Sequence, residues 1–393
     1  MDNLPIKNID KQFKVVRTAT VEMSLYHLLR GQLKYLNDYY TVIAISSNGD
    51  NVKKIISREN VDFVPVEMAR RISPIRDVLS IVNMIKVLCK IKPLIVHSIT
   101  PKAGLVSMFS AYYVRTPIRI HTFTGLVFPS NSGLKKIILI LVDKLMCMMA
   151  TKIIPEGQGV KRDLVQNNIT RKKLRIIANG NVNGIDLDYF KPSQRIYELS
   201  KKYRKIIRAQ KEDPIFCYVG RIVRDKGINE LVSAFSLISM INSRAKLLLV
   251  GPYENTYDAI SEHSRGVIHS YKNIHHVGYQ NDIRKYLVAS DVLILPSYRE
   301  GFPNVLLQAG AMGLPSIVTD INGCNEIIKH GINGLIIKPM VIQELYEAMV
   351  KLLDVQFRSA LSKDARTIIS SNFNQEDVWD QILREYKYLE NLV

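Results

Sequence analysis

Cysteine is scarce in this chain, and what there is lies scattered. Cys89, Cys147, Cys217 and Cys324 form no Cys-x-x-Cys pair, which argues against a disulfide framework or a thiolate metal cluster and fits reduced thiols in a cytoplasmic protein. Long apolar runs are missing as well: the longest purely aliphatic one, Ile137 to Val142, is broken by Asp143 and Lys144, far short of the roughly 20 apolar residues of a spanning helix. The opening Met1-Asp2-Asn3-Leu4-Pro5 has no basic stretch followed by an apolar core, so no secretory leader is expected. No Gly-x-Gly-x-x-Gly follows the first strand-like run, which disfavours a dinucleotide-dependent dehydrogenase.

Negative charge is also in deficit. The 393 residues carry 54 Lys+Arg against 36 Asp+Glu, a formal net charge of +18, and the excess sits in the first half, where residues 1–190 hold 28 basic and 14 acidic side chains. Residues 191–393 hold 26 and 22. No helix-turn-helix, RNP-like or Cys/His finger pattern presents that charge, so nucleic acid is not an expected partner. An anionic membrane surface is, since each nearby Lys or Arg contributes about 1 kcal/mol there; a solvated basic face without a partner is the plainer alternative.

Short β-type runs alternate with helix-period segments along the whole course. Phe13–Arg17, Tyr40–Ile45, Val61–Val66, Leu94–Ser98, Ile118–Thr122, Thr151–Pro155 and Leu174–Ala178 read as one series of strands. Ile215–Val219, Lys246–Val250, Asn273–Val277, Val292–Leu295, Ser316–Thr319 and Gly334–Ile337 read as a second. Repeated βα units imply two α/β, doubly wound parallel sheets. Turn formers from Asn179 to Pro192 mark the boundary, giving a first domain over 1–190, a second over 191–375, and a closing amphipathic helix over 376–393.

The informative stretch is Ser297-Tyr298-Arg299-Glu300-Gly301-Phe302-Pro303-Asn304 and the helix-period segment after it, closed by Gly313 and Pro315. Strand, tight turn and helix follow one another within a few residues. In an open α/β sheet ligands bind beyond the carboxyl ends of strands, where free N–H groups at a helix start suit an anion. Glu300 stands at the strand end, and Gln308 falls about two turns farther along the same helix face.

Glu300-Gly301-Phe302-Pro303 followed by Gln308-Ala309-Gly310-Ala311-Met312-Gly313-Leu314-Pro315 resembles the E-x7-E signature of retaining, nucleotide-sugar-dependent family 4 glycosyltransferases, with Gln308 in place of the second Glu. Val219-Gly220-Arg221 with Lys226-Gly227 resembles the family's G-R…K-G element, and Asn183-Gly184-Ile185-Asp186 its interdomain linker. The resemblance implies the GT-B fold, two Rossmann-like domains facing an interdomain cleft, with the final helix returning to the first. It implies that Glu300 contacts the transferred sugar, the amides of Gly301, Phe302, Pro303's neighbour Asn304 and Val305 meet sugar and diphosphate, Arg221 and Lys226 neutralise the diphosphate, and Gln308 holds the ribose. A neutral hydrogen bond contributes about 0.5–1.5 kcal/mol against about 1.5–3 for a charged one, so Gln308 implies ribose binding that is either weaker or shared with another group.

In the first domain the resemblance marks His121 as a residue near the transferred sugar, and strand-end loops offer Thr18, Thr20, Thr124 and Gly125 to acceptor or phosphate. The family's glycine pair after the first strand is replaced by Thr18-Ala19-Thr20-Val21. His97 reads as packing. Neither Asp186-Leu187-Asp188 nor His275-His276 reads as a metal site, and no cofactor is expected beyond a nucleotide-sugar donor, taken as UDP-linked. Helix 133–150 reads mainly as a sheet-covering helix whose lysine end, Lys135 and Lys136, reaches a membrane. The expected function is hexosyl or N-acetylhexosaminyl transfer to a polyprenyl-diphosphate-linked saccharide in capsule or O-antigen synthesis, peripheral on the inner membrane face. A nucleotide-sugar epimerase of the same architecture and a catalytically silent sugar-nucleotide-binding scaffold are the alternatives.

Overall fold

The computed structural model describes residues 13–69, 73–254 and 258–393; Met1 to Pro5, read above for a leader, lie outside them. The described residues form two compact units, one of those up to Gly184 with 375–393 and one of those from Ile185 to Asn374. In the first, β1 (Lys14–Val21), β2 (Thr41–Ser47), β3 (Asp62–Pro65), β4 (Ile95–Ile99), β5 (Ile118–Phe123) and β6 (Lys152–Pro155) form a parallel sheet in the order β3-β2-β1-β4-β5-β6. In the second, β7 (Ile215–Val219), β8 (Lys246–Val250), β9 (Ile274–His276), β10 (Val292–Leu295), β11 (Ser316–Thr319) and β12 (Gly334–Ile337) run β12-β11-β10-β7-β8-β9. Within each sheet the strand order reverses once, between β1 and β4 and between β7 and β10. Those reversals are where an open sheet leaves a crevice for ligands at its carboxyl edge.

Helices on both faces explain why the central strands are continuous apolar runs. Every residue of β8 and β10 is buried, as expected for parallel strands covered on two sides. The final helix, Gln375–Glu390, belongs to the first unit: Val378, Ile382, Leu383 and Tyr386 share a core with Val15, Val42 and Ile95. Residues 185–190, expected in the first domain, belong to the second. Ile185 and Phe190 lie in its core, Arg284 donates to the Tyr189 carbonyl at 3.0 Å and Arg366 to the Phe190 carbonyl at 2.9 Å.

Three expectations are corrected. Leu174–Ala178 is not a strand, because Ala178 takes φ 49° and its N–H donates to the Gln381 side chain (2.9 Å) in place of a ladder partner. Thr18 and Thr20 are not in a loop: β1 runs on to Val21, and both threonines are buried. The helix Gly133–Met149 does not bury most of its apolar face. Only Met146 and Cys147 are fully buried, whereas Leu134, Ile137, Ile138, Leu141, Leu145 and Met148 form an exposed stripe at helical spacing.

Under the final helix lies a polar chain in an otherwise apolar core. Arg17, fully buried on β1, donates to the Tyr386 hydroxyl (3.0 Å), which also bonds His97 Nδ1 (2.6 Å), and His97 Nε2 bonds the Thr122 hydroxyl (2.7 Å). Among the described residues the Nε and Nη2 atoms of Arg17 have no partner, so Tyr386 is the anchor of that guanidinium. Removing one partner from a buried polar group costs about 1–3 kcal/mol. Tyr386→Phe should lower the unfolding free energy by about that much in urea, with an unchanged m-value; a loss below about 0.5 kcal/mol would show that the chain contributes little.

Candidate donor and acceptor sites at the strand ends

In the second unit, the loops after β7 and β10 meet at the strand-order reversal. Gly227 holds them together: its φ is +70°, and a Cβ there would lie 2.0 Å from the Pro296 carbonyl oxygen, so only glycine lets the β7 loop close on the end of β10. That contact puts Lys226 beside Glu300. Lys226 Nζ donates to Glu300 Oε1 at 2.6 Å, and the Ser297 hydroxyl donates to the same oxygen at 2.7 Å. Ser297 is fixed in turn, since its carbonyl accepts from the Thr319 hydroxyl at 2.5 Å. Glu300 is therefore a strand-end carboxylate held in one position, ready to accept hydroxyl hydrogen bonds.

The helix Asn304–Ala311 follows directly, with extended Pro303 as its N-cap residue. Phe302 is buried against Phe373, its ring centroid 5.6 Å away, which seats the turn. Gly301, Asn304, Val305 and Gln308 are half-buried and lie along the rim of this turn and helix. The loop after β11 closes on it, for Gly323 comes so near that a Cβ would stand 2.1 Å from the Gly301 carbonyl. The sequence reading of strand, turn and helix is reproduced to within a residue.

The cations are less free than the sequence suggested. Arg221 pairs with Glu254, Arg224 with Asp258 (3.0 Å), Lys226 with Glu300 and Arg299 with Asp225 (3.1 Å). Arg224 and Asp225, neighbours in sequence, thus choose other partners. Ser297 and Glu254 were not singled out from sequence; both stand at or just beyond strand ends, the one position-dependent signal that could have found them.

In the first unit the expected residues are spread over a common edge, with different degrees of access. The Thr18 hydroxyl bonds Ser107 (2.8 Å) and the Thr20 hydroxyl bonds Thr100 (2.8 Å), so both are committed to the helix Pro101–Tyr113 and its start. Thr100, which sequence reasoning passed over, takes φ 77°, a strained value for a β-branched residue, held by the Thr20 N–H donating to its hydroxyl (3.0 Å). Thr124 and Gly125 follow β5 and are half-buried. His121 is 1% exposed, its Nδ1 bonded to the Ser98 hydroxyl (2.8 Å) and its ring edge-on to Phe123. Burial pushes its pKa down to about 3. Near neutral pH this imidazole is uncharged.

Among the described residues no three His, Cys, Asp or Glu side chains converge as a metal-binding set. Asp186 serves the linker turn, accepting from the Tyr189 N–H at 2.8 Å, and His276 Nε2 contacts the Gly251 carbonyl at 2.7 Å.

Residues 200–368 match the family model for glycosyl transferases group 1, and residues 19–157 the model for glycosyl transferase 4-like domains. The capsular polysaccharide biosynthesis glycosyltransferase CapM of Staphylococcus aureus is 30% identical over 96% of this chain and 97% of its own length. The chain belongs to the group 1 glycosyl transferases. It is a glycosyltransferase with the GT-B fold, as the family resemblance implied. A second relative, the UDP-Gal:alpha-D-GlcNAc-diphosphoundecaprenol alpha-1,3-galactosyltransferase of Escherichia coli, is 30% identical over 79% of each chain. Among solved structures, HepE of Anabaena in complex with UDP and glucose superposes with a TM-score of 0.81 at 16% identity, covering 96% of this chain and all of that one.

The buried imidazole makes a checkable claim. A histidine whose folded pKa lies below its unfolded value of about 6.5 adds stability above that pH and loses it as pH falls toward the folded pKa. His121 should show neutral-form ring chemical shifts from pH 8 down to pH 5, while the unfolding free energy declines below about pH 6.5. An imidazole midpoint between pH 6 and 7 would contradict the buried, neutral assignment.

Proposed function

We propose that this glycosyltransferase moves a hexosyl or N-acetylhexosaminyl group from a UDP-sugar to a saccharide on a polyprenyl diphosphate, with retention and without a metal ion. The observation that carries the reading is the fixed carboxylate of Glu300, held by Lys226 and Ser297 at the carboxyl end of β10 with a helix start immediately behind it. In this reading the second unit binds the donor. Glu300 accepts from hydroxyls of the transferred sugar, and the backbone N–H groups of Gly301, Phe302, Asn304 and Val305 with Arg221 and Lys226 take the diphosphate as it departs. Fixed donors aimed at developing charge need no reorganisation during the reaction. Gln308, on the same helix, accepts from the ribose.

The first unit binds the acceptor. Thr124 and Gly125 are the accessible members of its strand-end set, while Thr18, Thr20 and neutral His121 act from beneath by holding the edge in shape. A polyprenyl-linked acceptor is supported by the specificity in the Escherichia coli relative's name and by the surface of this unit. Ile75, Val78, Leu79 and Val82 on the helix Pro74–Ile91 are exposed, Ile75 by 79%, as is the stripe from Leu134 to Met148 on Gly133–Met149. Arg76, Lys135 and Lys136 accompany these apolar residues. An apolar face edged by cations fits a bilayer interface, with side chains in the acyl boundary and lysines at anionic head groups. Among the described residues no helix is long and apolar enough to cross a membrane. The reading therefore places the protein on the inner face of the cell membrane as a peripheral enzyme.

Transfer from UDP-sugars to a polyprenyl-diphosphate-linked saccharide, assayed with and without chelator, tests this directly. Glu300→Gln should lower kcat by at least about tenfold, Arg221→Ala should mainly raise the donor KM, and neither effect should depend on the chelator. Wild-type turnover in purified Glu300→Gln would sink the assignment. Leu134→Glu combined with Ile138→Glu should abolish flotation with vesicles containing phosphatidylglycerol without lowering donor binding; unchanged flotation would remove the membrane face from the account.

A further inference from the structure

Resting on that donor-site reading, we propose that Glu254 is a built-in competitor for the donor's diphosphate, occupying Arg221 in the empty enzyme and giving it up when the nucleotide arrives. The juxtaposition of Arg221 and Glu254 is imposed by backbone. The Gly220 N–H donates to the Val250 carbonyl at 2.9 Å and the Ile222 N–H to the Pro252 carbonyl at 2.9 Å, so the segments leaving β7 and β8 run side by side beyond the sheet. The Tyr218 hydroxyl fixes the Arg221 carbonyl at 2.7 Å. Arg221 and Glu254 then project from adjacent segments and meet.

Of the ion pairs at this edge, two touch the residues assigned to the diphosphate, and they differ in kind. The Lys226–Glu300 pair is largely shielded, 17% and 15% exposed, and is tied down by Ser297. The Arg221–Glu254 pair is 50% and 36% exposed. No further hydrogen bond holds the Glu254 carboxylate among the described residues. An exposed pair contributes little to stability because water screens it, so it can open at small cost. A diphosphate offers the guanidinium several charged oxygens where Glu254 offers two, and charge-assisted bidentate contacts are the strong ones. The ligand therefore wins the exchange, but its net affinity is reduced by the contact it displaces.

Two consequences follow for the enzyme. Arg221 keeps one orientation before the donor arrives, and after transfer the returning carboxylate favours departure of the nucleoside diphosphate. Glu254 is thus a tuning residue for product release that touches neither the sugar nor the reacting atoms.

The test is calorimetric titration of UDP into the full chain as wild type, Glu254→Gln, Glu254→Asp and Arg221→Ala, paired with the inhibition constant of UDP in the transfer assay. Glu254→Gln should bind UDP roughly two- to fivefold more tightly and be inhibited by UDP at correspondingly lower concentration, while Glu254→Asp stays near wild type. Unchanged or weaker UDP binding by Glu254→Gln, with Arg221→Ala still impaired, would overturn the competitor role and leave the donor site standing. If Arg221→Ala binds UDP as wild type does, the assignment of Arg221 to the diphosphate fails, and the proposal fails with it.

Discussion

The bond from Lys226 to Glu300 is the contact on which the proposed donor site depends. Two loops from strands on either side of the order reversal supply its partners, and it forms only because Gly227 can lie against the Pro296 carbonyl. A carboxylate at a strand end would otherwise swing through solvent. With Lys226 and Ser297 on one oxygen and Thr319 steadying Ser297, Glu300 has a defined position before any sugar arrives. Preorganisation of this sort lowers a barrier because the fixed groups need not reorient during the reaction.

The proposed donor edge is close to electrically balanced, with each of Arg221, Arg224, Lys226 and Arg299 facing a carboxylate of the same unit. That balance bears on recognition. An unpaired cluster of four cations would attract any polyanion, whereas paired cations yield only to a ligand that replaces their partners with better geometry. The excess positive charge of the chain lies in the first half, where the exposed apolar stripes of Pro74–Ile91 and Gly133–Met149 also lie. In the reading proposed above, donor selection and membrane attraction fall to different halves of the sequence.

What was legible in the sequence is what local chemistry determines. Apolar runs such as Val292–Leu295 and Ser316–Thr319 declared buried strands, and Glu300 to Pro315 declared a turn and helix, because burial on both sheet faces and Gly/Pro punctuation leave little choice. Long-range pairing was illegible. Nothing near Arg221 in sequence indicates Glu254, and Arg224 and Asp225, adjacent in sequence, pair instead with Asp258 and Arg299. Leu174–Ala178 has strand composition, yet its place against the final helix sets a left-handed Ala178 and a side-chain partner, Gln381. Thr18 and Thr20 stand where the family's glycine loop falls, yet β-branched residues here prolong the strand to Val21. The apolar face of Gly133–Met149 has a helical period that the sheet could have covered, and its exposure shows that the sheet does not.

Amide hydrogen exchange of the full chain, with and without saturating UDP, tests the central claim most directly. The account predicts slowed exchange at the amides of 220–227 and of Gly301 to Gln308, with Pro303 contributing none, and no comparable change at the carboxyl edge of the first sheet. Protection confined to the first unit, or none in 301–308 at saturation, would contradict the placement of the donor site around Glu300.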